Sequence, residues 1–281
     1  MKPFPPVGQV ARETWELVKR RYGALASISL LSTFVVPALA AVVAGIWVLP
    51  GAAVSAGADG SVVGVFLMSL GALLAAAVLF VGSMLCASAL YGAALTEQKV
   101  GALLRAARGD WRSYAWVAIV SAFLMGGFIL LGFFPGVFLF PIVVLAPYAF
   151  KADGAKGFAA LLRARDVLKG RWWGAFGRLL LFFVVIQAPL MFLPQDAEEL
   201  TIVSGVTLGI SALYAAFVAS PAITALGAVM YRHAAAAAHL PPTKAEGRRW
   251  KYAVPAAIGW LVVAGGTVVA LRLLLTSFNF V

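Results

Sequence analysis

Residues 62–95 read VVGVFLMSLGALLAAAVLFVGSMLCASALYGAAL, a run without a single Asp, Glu, Lys, Arg or His. A helix rises about 1.5 Å per residue and a bilayer core is about 30 Å thick, so roughly 20 such residues cross it. The run is rich in Ala and Leu, lacks strict alternation and is far longer than a barrel strand, which points to helix. Six further apolar stretches flank it: Ala24 to Leu49, Tyr114 to Phe134, Gly136 to Phe150, Trp173 to Leu193, Leu200 to Met230 and Ala253 to Leu275. Hydrophobic residues make up 63% of the 281 and charged residues 12%, with a mean hydropathy of +0.96. No water-soluble surface can be assembled from that. The expected fold is all-α: a polytopic transmembrane helical bundle of about seven spans.

The 22 Lys and Arg set the orientation. Five precede the first span, four follow the second, seven lie between Lys151 and Arg178, and five separate the sixth from the seventh, leaving Arg272 near the end of the last. The alternate connections, PGAAVSAGADGS from Pro50, the Pro135-Gly136 turn and PQDAEE from Pro194, have none. Basic residues stay on the cytoplasmic side, so the chain is expected in a bacterial inner membrane with its N-terminus cytoplasmic and its C-terminus outside. The expected organisation is an amphipathic N-terminal helix over 1–23, six spans over 24–230, a basic cytoplasmic linker over 231–252 and a seventh span with its tail over 253–281. A competing reading of the N-terminus is a signal peptide, with Arg20-Arg21 before ALASISLLSTFVV and PALA-A. Against it, the apolar run continues to Leu49 and the charge pattern needs this span.

The sequence also repeats. ALLRAA at 102–107 matches ALLRAR at 160–165, and each precedes a Gly- and Trp-containing elbow, GDWR from Gly109 and GRWW from Gly170. At the N-terminus ELVKRRYGAL from Glu16 parallels DVLKGRWWGAF from Asp166 with one residue skipped. Three units, each an amphipathic elbow helix and two spans, plus one extra helix give seven. In the second unit Val100, Leu103, Leu104, Ala107 and Trp111 make an apolar stripe, with Arg105 and Arg108 on another face; Phe158, Leu161, Leu162, Leu168 and Trp172 continue it in the third. Such helices are expected to lie flat on the inner leaflet. Six of the eight Trp stand within four residues of a Lys or Arg, where an indole buries its ring and keeps its N–H wet. Interfacial anchoring explains this; a sharper hypothesis gives Arg105, Arg108, Arg163, Arg165, Lys169, Arg171, Trp172 and Trp173 to anionic lipid head groups, each cation contributing about 1 kcal/mol.

The fourth span is the irregular one. As Gly136 to Phe150 it reaches about 22 Å, and Pro141 and Pro147 each remove a backbone donor. Bare backbone at membrane depth requires cover by protein or water. The expectation is a cytoplasm-facing notch at Pro135, Gly136, Pro141 and Pro147, floored by this helix and walled by the second and sixth spans; the alternative is kinks filled by neighbouring side chains.

Groups that carry chemistry are sparse. The spans hold no Asp or Glu for a proton relay or metal site. His233 and His239 stand beside an alanine run with no other ligand at useful spacing, so no metal and no cofactor is expected. Cys86, in an apolar run without basic neighbours, reads as a small hydrophobe. Span hydroxyls such as Ser83, Ser121, Thr207 and Ser211 most often bond back to their own helix, and Gly205-x-x-x-Gly209 is a weak signal for close helix packing. The basic residues cluster between apolar runs and form no basic face, so nucleic acid is not an expected partner.

From Phe133 the chain reads FFPGVFLFPIVVLAPYAFKADGAKGFAALLRARDVLKGRWWGAFGRLLLFFVV. This stretch resembles the membrane domain that precedes the catalytic barrel in some bacterial glycerophosphodiester phosphodiesterases, and its stand-alone uncharacterised relatives. The shared features are a Pro-Gly turn, a short apolar helix, a polar break, then Ala-Leu-Arg and a Lys-Gly-Arg-Trp elbow. Lys151 occupies the place of an acidic residue expected after the short helix, with Asp153 following. The resemblance implies a multi-helix inner-membrane module without the barrel. The expected function is a non-catalytic membrane module that binds lipids, anionic ones among them, or partner proteins. The alternative is a small transporter or permease subunit, which repeats and broken helices would suit; an intramembrane enzyme ranks third because no acid-base pair can be assembled in the spans.

Overall fold

Positive φ at Gly154, Gly157 and Gly170 interrupts the helical path between residues 150 and 175, while the long apolar runs stay helical. The computed structural model describes residues 4–57, 62–131, 133–192, 202–238 and 250–278. Its helices are α1 (Val7–Leu30), α2 (Val36–Gly57), α3 (Val62–Leu95), α4 (Val100–Leu130), α5 (Phe133–Asp153), α6 (Phe158–Leu168), α7 (Trp172–Met191), α8 (Ile202–Tyr214), α9 (Ser220–Ala238) and α10 (Trp250–Phe278). Wide π turns, Leu31–Val35 and Ala215–Ala219, join α1 to α2 and α8 to α9 without a break. The protein is an all-α helical bundle, and no strand occurs among the described residues.

Six of the described helices are long and apolar enough to cross a membrane: Val7–Gly57, Val62–Leu95, Val100–Leu130, Pro135–Asp153, Trp172–Met191 and Gly205–Ala238. The seventh expected span falls within α10. Large apolar side chains face outward along these helices; Leu49 is 71% exposed, Val62 83% and Leu208 76%. Continuous apolar surface of this kind is incompatible with water and suits lipid. The chain is a multi-pass membrane protein.

Four sequence expectations change in detail. Pro135-Gly136 is no loop: both residues lie in the first turn of α5, where a proline's missing N–H has no helical partner to lose. Nor is the fourth span short. α5 has 21 residues and runs straight through Pro141 and Pro147, because each proline forfeits one bond while flanking turns keep theirs. Finally, a separate elbow helix exists in the third repeat only: α1 and α4 pass from amphipathic to apolar sequence unbroken. The basic linker expected over 231–252 is likewise helical up to Ala238, and the rest of it up to 249, His239 included, lies outside the described residues.

The chain divides into two compact units, one comprising Met1–Val10, Arg112–Leu181 and Gly227–Val281, the other Ala11–Trp111 and Phe182–Leu226. In the second, α2 and α3 meet along glycines. A Cβ at Gly71 would stand 2.7 Å from the Trp47 Cβ, and one at Gly82 2.7 Å from a Val36 methyl. Small residues let helices approach this closely where apolar solvent gives no hydrophobic drive. Gly205 and Gly209 are not used so: nothing described lies within 4 Å of a Cβ at either. Several polar groups here pair across helices, with Ser29 Oγ donating to Ser220 Oγ at 2.9 Å, Ser88 Oγ to Asp110 at 2.9 Å and Tyr214 to the Ile186 carbonyl at 2.6 Å, while the buried hydroxyls of Thr14 and Ser55 find no partner among the described residues.

In the first unit α6 runs back along α5. Asp153 at the end of α5 meets Arg163 of α6, while Phe138 near its start meets Trp172 just beyond α6. Ala160, Leu161, Leu162, Ala164, Asp166, Val167 and Leu168 of α6 are buried. Much of this helix therefore packs against protein, because small residues at 160 and 164 let a second face pack too, while Phe158, Ala159, Arg163 and Arg165 stay half-buried. α4 and α10 cross where Gly127 and Gly259 leave room for each other's backbone.

Candidate functional site

The connection between α6 and α7 is a type II turn. Lys169 has φ −55° and ψ 125°, Gly170 has φ 78°, and the Arg171 N–H donates to the Leu168 carbonyl at 2.9 Å. That turn demands positive φ at its third residue, which glycine adopts at no steric cost. It pushes Lys169 into the open and aims Trp172 back at α5, where the indole N–H donates to the Phe138 carbonyl at 2.9 Å. Trp172 also stacks on Phe176 at 4.9 Å and meets Trp173 edge-on at 4.6 Å.

Beside this turn lies a cavity of about 550 Å³. Phe128 of α4, Phe138, Leu139 and Ile142 of α5, and Leu168 give it an apolar interior, with Pro135 at one wall. Its polar lining comes from Arg165, Asp166 and Lys169, and Trp172 and Tyr252 supply aromatic rings. Arg165 lies over the Tyr252 ring at 5.6 Å and only 4.0 Å from the buried Asp166 carboxylate. Lys169 has no ion-pair partner among the described residues. The volume is that of a small-molecule site, with apolar walls and an edge that carries two cations and one carboxylate.

The structure thus sorts the residues singled out from sequence. Arg165, Lys169, Trp172 and Pro135 gather around this cavity, whose other walls come from α4 and α10 instead of the second and sixth spans. Arg163 and Arg171 serve the interior. Arg163 Nε donates to Asp153 at 2.6 Å and Tyr231 donates its hydroxyl to the same carboxylate oxygen at 2.7 Å. Burial works against the Arg163 charge, yet its hydrogen bond and Coulombic attraction to Asp153 hold the pKa above the ordinary value. Arg171 donates to the Ala234 carbonyl at 3.3 Å and lies over the Phe4 ring at 5.8 Å. Trp173 is 70% exposed. Pro141 is fully buried, Gly136 packs against Ile129 and Pro147 is half-buried. Arg105 and Arg108 are exposed on the amphipathic part of α4, in the other unit.

Tyr252 carried a slight local signal for this cavity and Phe128 none, and the triad of Asp153, Arg163 and Tyr231 joins residues 10 and 78 positions apart. Only a juxtamembrane tyrosine close to the basic cluster at 248–251 hinted at the former. No family model, curated protein or solved structure matches the chain.

Proposed function

We propose that this protein is a non-catalytic module of a bacterial inner membrane, related to the membrane domain of glycerophosphodiester phosphodiesterases, that holds an anionic phospholipid in the cavity beside the α6–α7 turn. The observation that carries this reading is an apolar cavity of about 550 Å³ edged by Arg165 and by Lys169, which has no ion-pair partner among the described residues. Acyl chain against Phe128, Phe138, Leu139 and Ile142 removes apolar surface from contact with mismatched neighbours. The head group meets cations worth about 1 kcal/mol each near an anionic surface. Trp172 and Tyr252 suit the depth where chain gives way to head group. A charged-solute transporter is less well supported, because Asp153, Arg163 and Tyr231 satisfy one another and leave that cluster no free charge for a cargo.

The test is native mass spectrometry of the purified chain titrated with phosphatidylglycerol. Reversing Arg165 and Lys169 to Glu is expected to weaken its retention by about 2 kcal/mol or more, roughly 30-fold, with phosphatidylcholine of the same chains unaffected. Equal retention of both lipids by both proteins would sink the proposal. The orientation is tested separately. A reporter active only in the cytoplasm is expected to work after Lys99, Lys156 or Lys244 and to fail after Gly57 or Val281; activity at Val281 would refute an outside C-terminus.

A further inference from the structure

The repeat that pairs Glu16 with Asp166 also pairs Trp15 with Arg165, Val18 with Leu168, Lys19 with Lys169 and Tyr22 with Trp172. The four later residues all line the cavity described above. The four earlier ones all line a second cavity, of about 660 Å³, in the other compact unit. Positions 15, 18, 19 and 22 fall at i, i+3, i+4 and i+7, one face of α1, so the unbroken helix delivers the same set that the type II turn delivers at the later copy. Apart from Thr14, the rest of the second cavity is apolar, with Phe182, Ile186, Phe217 and Val218 among its walls.

The likeness extends to electrostatics. At the first cavity Arg165 lies over the ring of Tyr252; at the second Lys19 Nζ lies 5.9 Å from the centroid of Trp15. The neighbouring cations are engaged, Arg20 with Glu16 at 3.7 Å and Arg21 with Glu97 at 2.8 Å. Lys19, like Lys169, has no ion-pair partner among the described residues. A bare ammonium at the edge of an apolar cavity calls for a negative group attached to an apolar body, and a membrane offers that as an acidic phospholipid. Thr14 adds a second sign. It lines the same cavity, and its hydroxyl is enclosed without a hydrogen-bond partner, so an ester oxygen of a lipid backbone would satisfy it.

We infer that the chain carries two equivalent sites for an anionic phospholipid, one in each compact unit, built by the same register of its internal repeat. This rests on the lipid reading of the first cavity. The experiment is the stoichiometry of phosphatidylglycerol on the full chain by native mass spectrometry, in a mild detergent, with circular dichroism and monodispersity checked for every variant. The wild-type chain retains two lipids. Lys19→Glu, at an exposed position, drops this to one, as does Ala222→Phe, which narrows the groove from its wall and keeps the lysine. Arg165→Glu with Lys169→Glu also drops it to one, and the three reversals combined drop it to none. Two lipids retained by Lys19→Glu or by Ala222→Phe would overturn the second site. So would a single wild-type lipid that the Arg165 and Lys169 reversals remove, an outcome that leaves the first site standing. No lipid on the wild type, or two on every variant, would overturn both.

Discussion

Asp153→Ala is expected to destabilise the protein by about 3 kcal/mol, because it takes away the carboxylate that both Arg163 and Tyr231 were folded around. The Arg163 side chain is 14% exposed and that of Asp153 26%, so water recovers only part of the lost interaction. Asp153→Asn keeps an acceptor and loses the charge, and its effect falls between; Tyr231→Phe removes one hydrogen bond, worth about 1 kcal/mol. Unfolding in mixed micelles followed by tryptophan fluorescence reads the series. If all three variants unfold with the wild-type midpoint, the cluster is not what ties α5, α6 and α9 together.

Gly127→Val is expected to be as severe by a different route. A Cβ there would stand 2.6 Å from the Ala256 Cα and 2.7 Å from its carbonyl carbon, while a Cβ at Gly259 would run into the Gly127 carbonyl. Backbone cannot yield as a side-chain tip does, so α4 and α10 have to separate, at about 3 kcal/mol or more. Trp260 reports the event directly. Its indole donates to the Phe123 carbonyl at 3.0 Å and its ring lies nearly parallel to that of Phe123, so separation shifts its emission. Gly45→Val, where nothing lies within 4 Å, is the control and should be neutral; an effect there equal to that at Gly127 would refute the crossing as the cause.

Spacing and composition were enough to recover the helices, because lipid makes every apolar run of sufficient length helical. Of the stripe on α4, Leu103 and Ala107 are buried and Val100, Leu104 and Trp111 half-buried, while Arg105 and Arg108 are exposed. The proline signals misled about α5, since a single missing donor cannot end a helix whose other bonds are shielded from water. Gly-x-Trp elbows were ambiguous for a related reason. Gly109 is helical and Gly170 is not, although their neighbours look alike. What differs is the preceding stretch, where α6 is packed against α5 and must reverse. Half of the candidate site was legible for the same reason half of it is local: Arg165, Lys169 and Trp172 sit within one short segment, whereas Phe128 and Tyr252 arrive from helices that only the tertiary fold brings near.

The unbroken passage from α1 through the Leu31–Val35 turn into α2 also fixes an angular phase. Each residue of an α-helix advances by about 100°, so one residue inserted into the apolar part would swing Trp15, Val18, Lys19 and Tyr22 together through that angle relative to the span. A π turn holds an extra residue within one loop of the helix, and Leu31–Val35 is such a place: the two faces of this rod are already offset there. Between α6 and α7 the helical path is broken at the Lys169-Gly170 turn, so no continuous helix carries a phase from one to the other. Two copies of one segment are thereby placed under different rules. Length changes in the first are read out as rotation, and in the third they are absorbed.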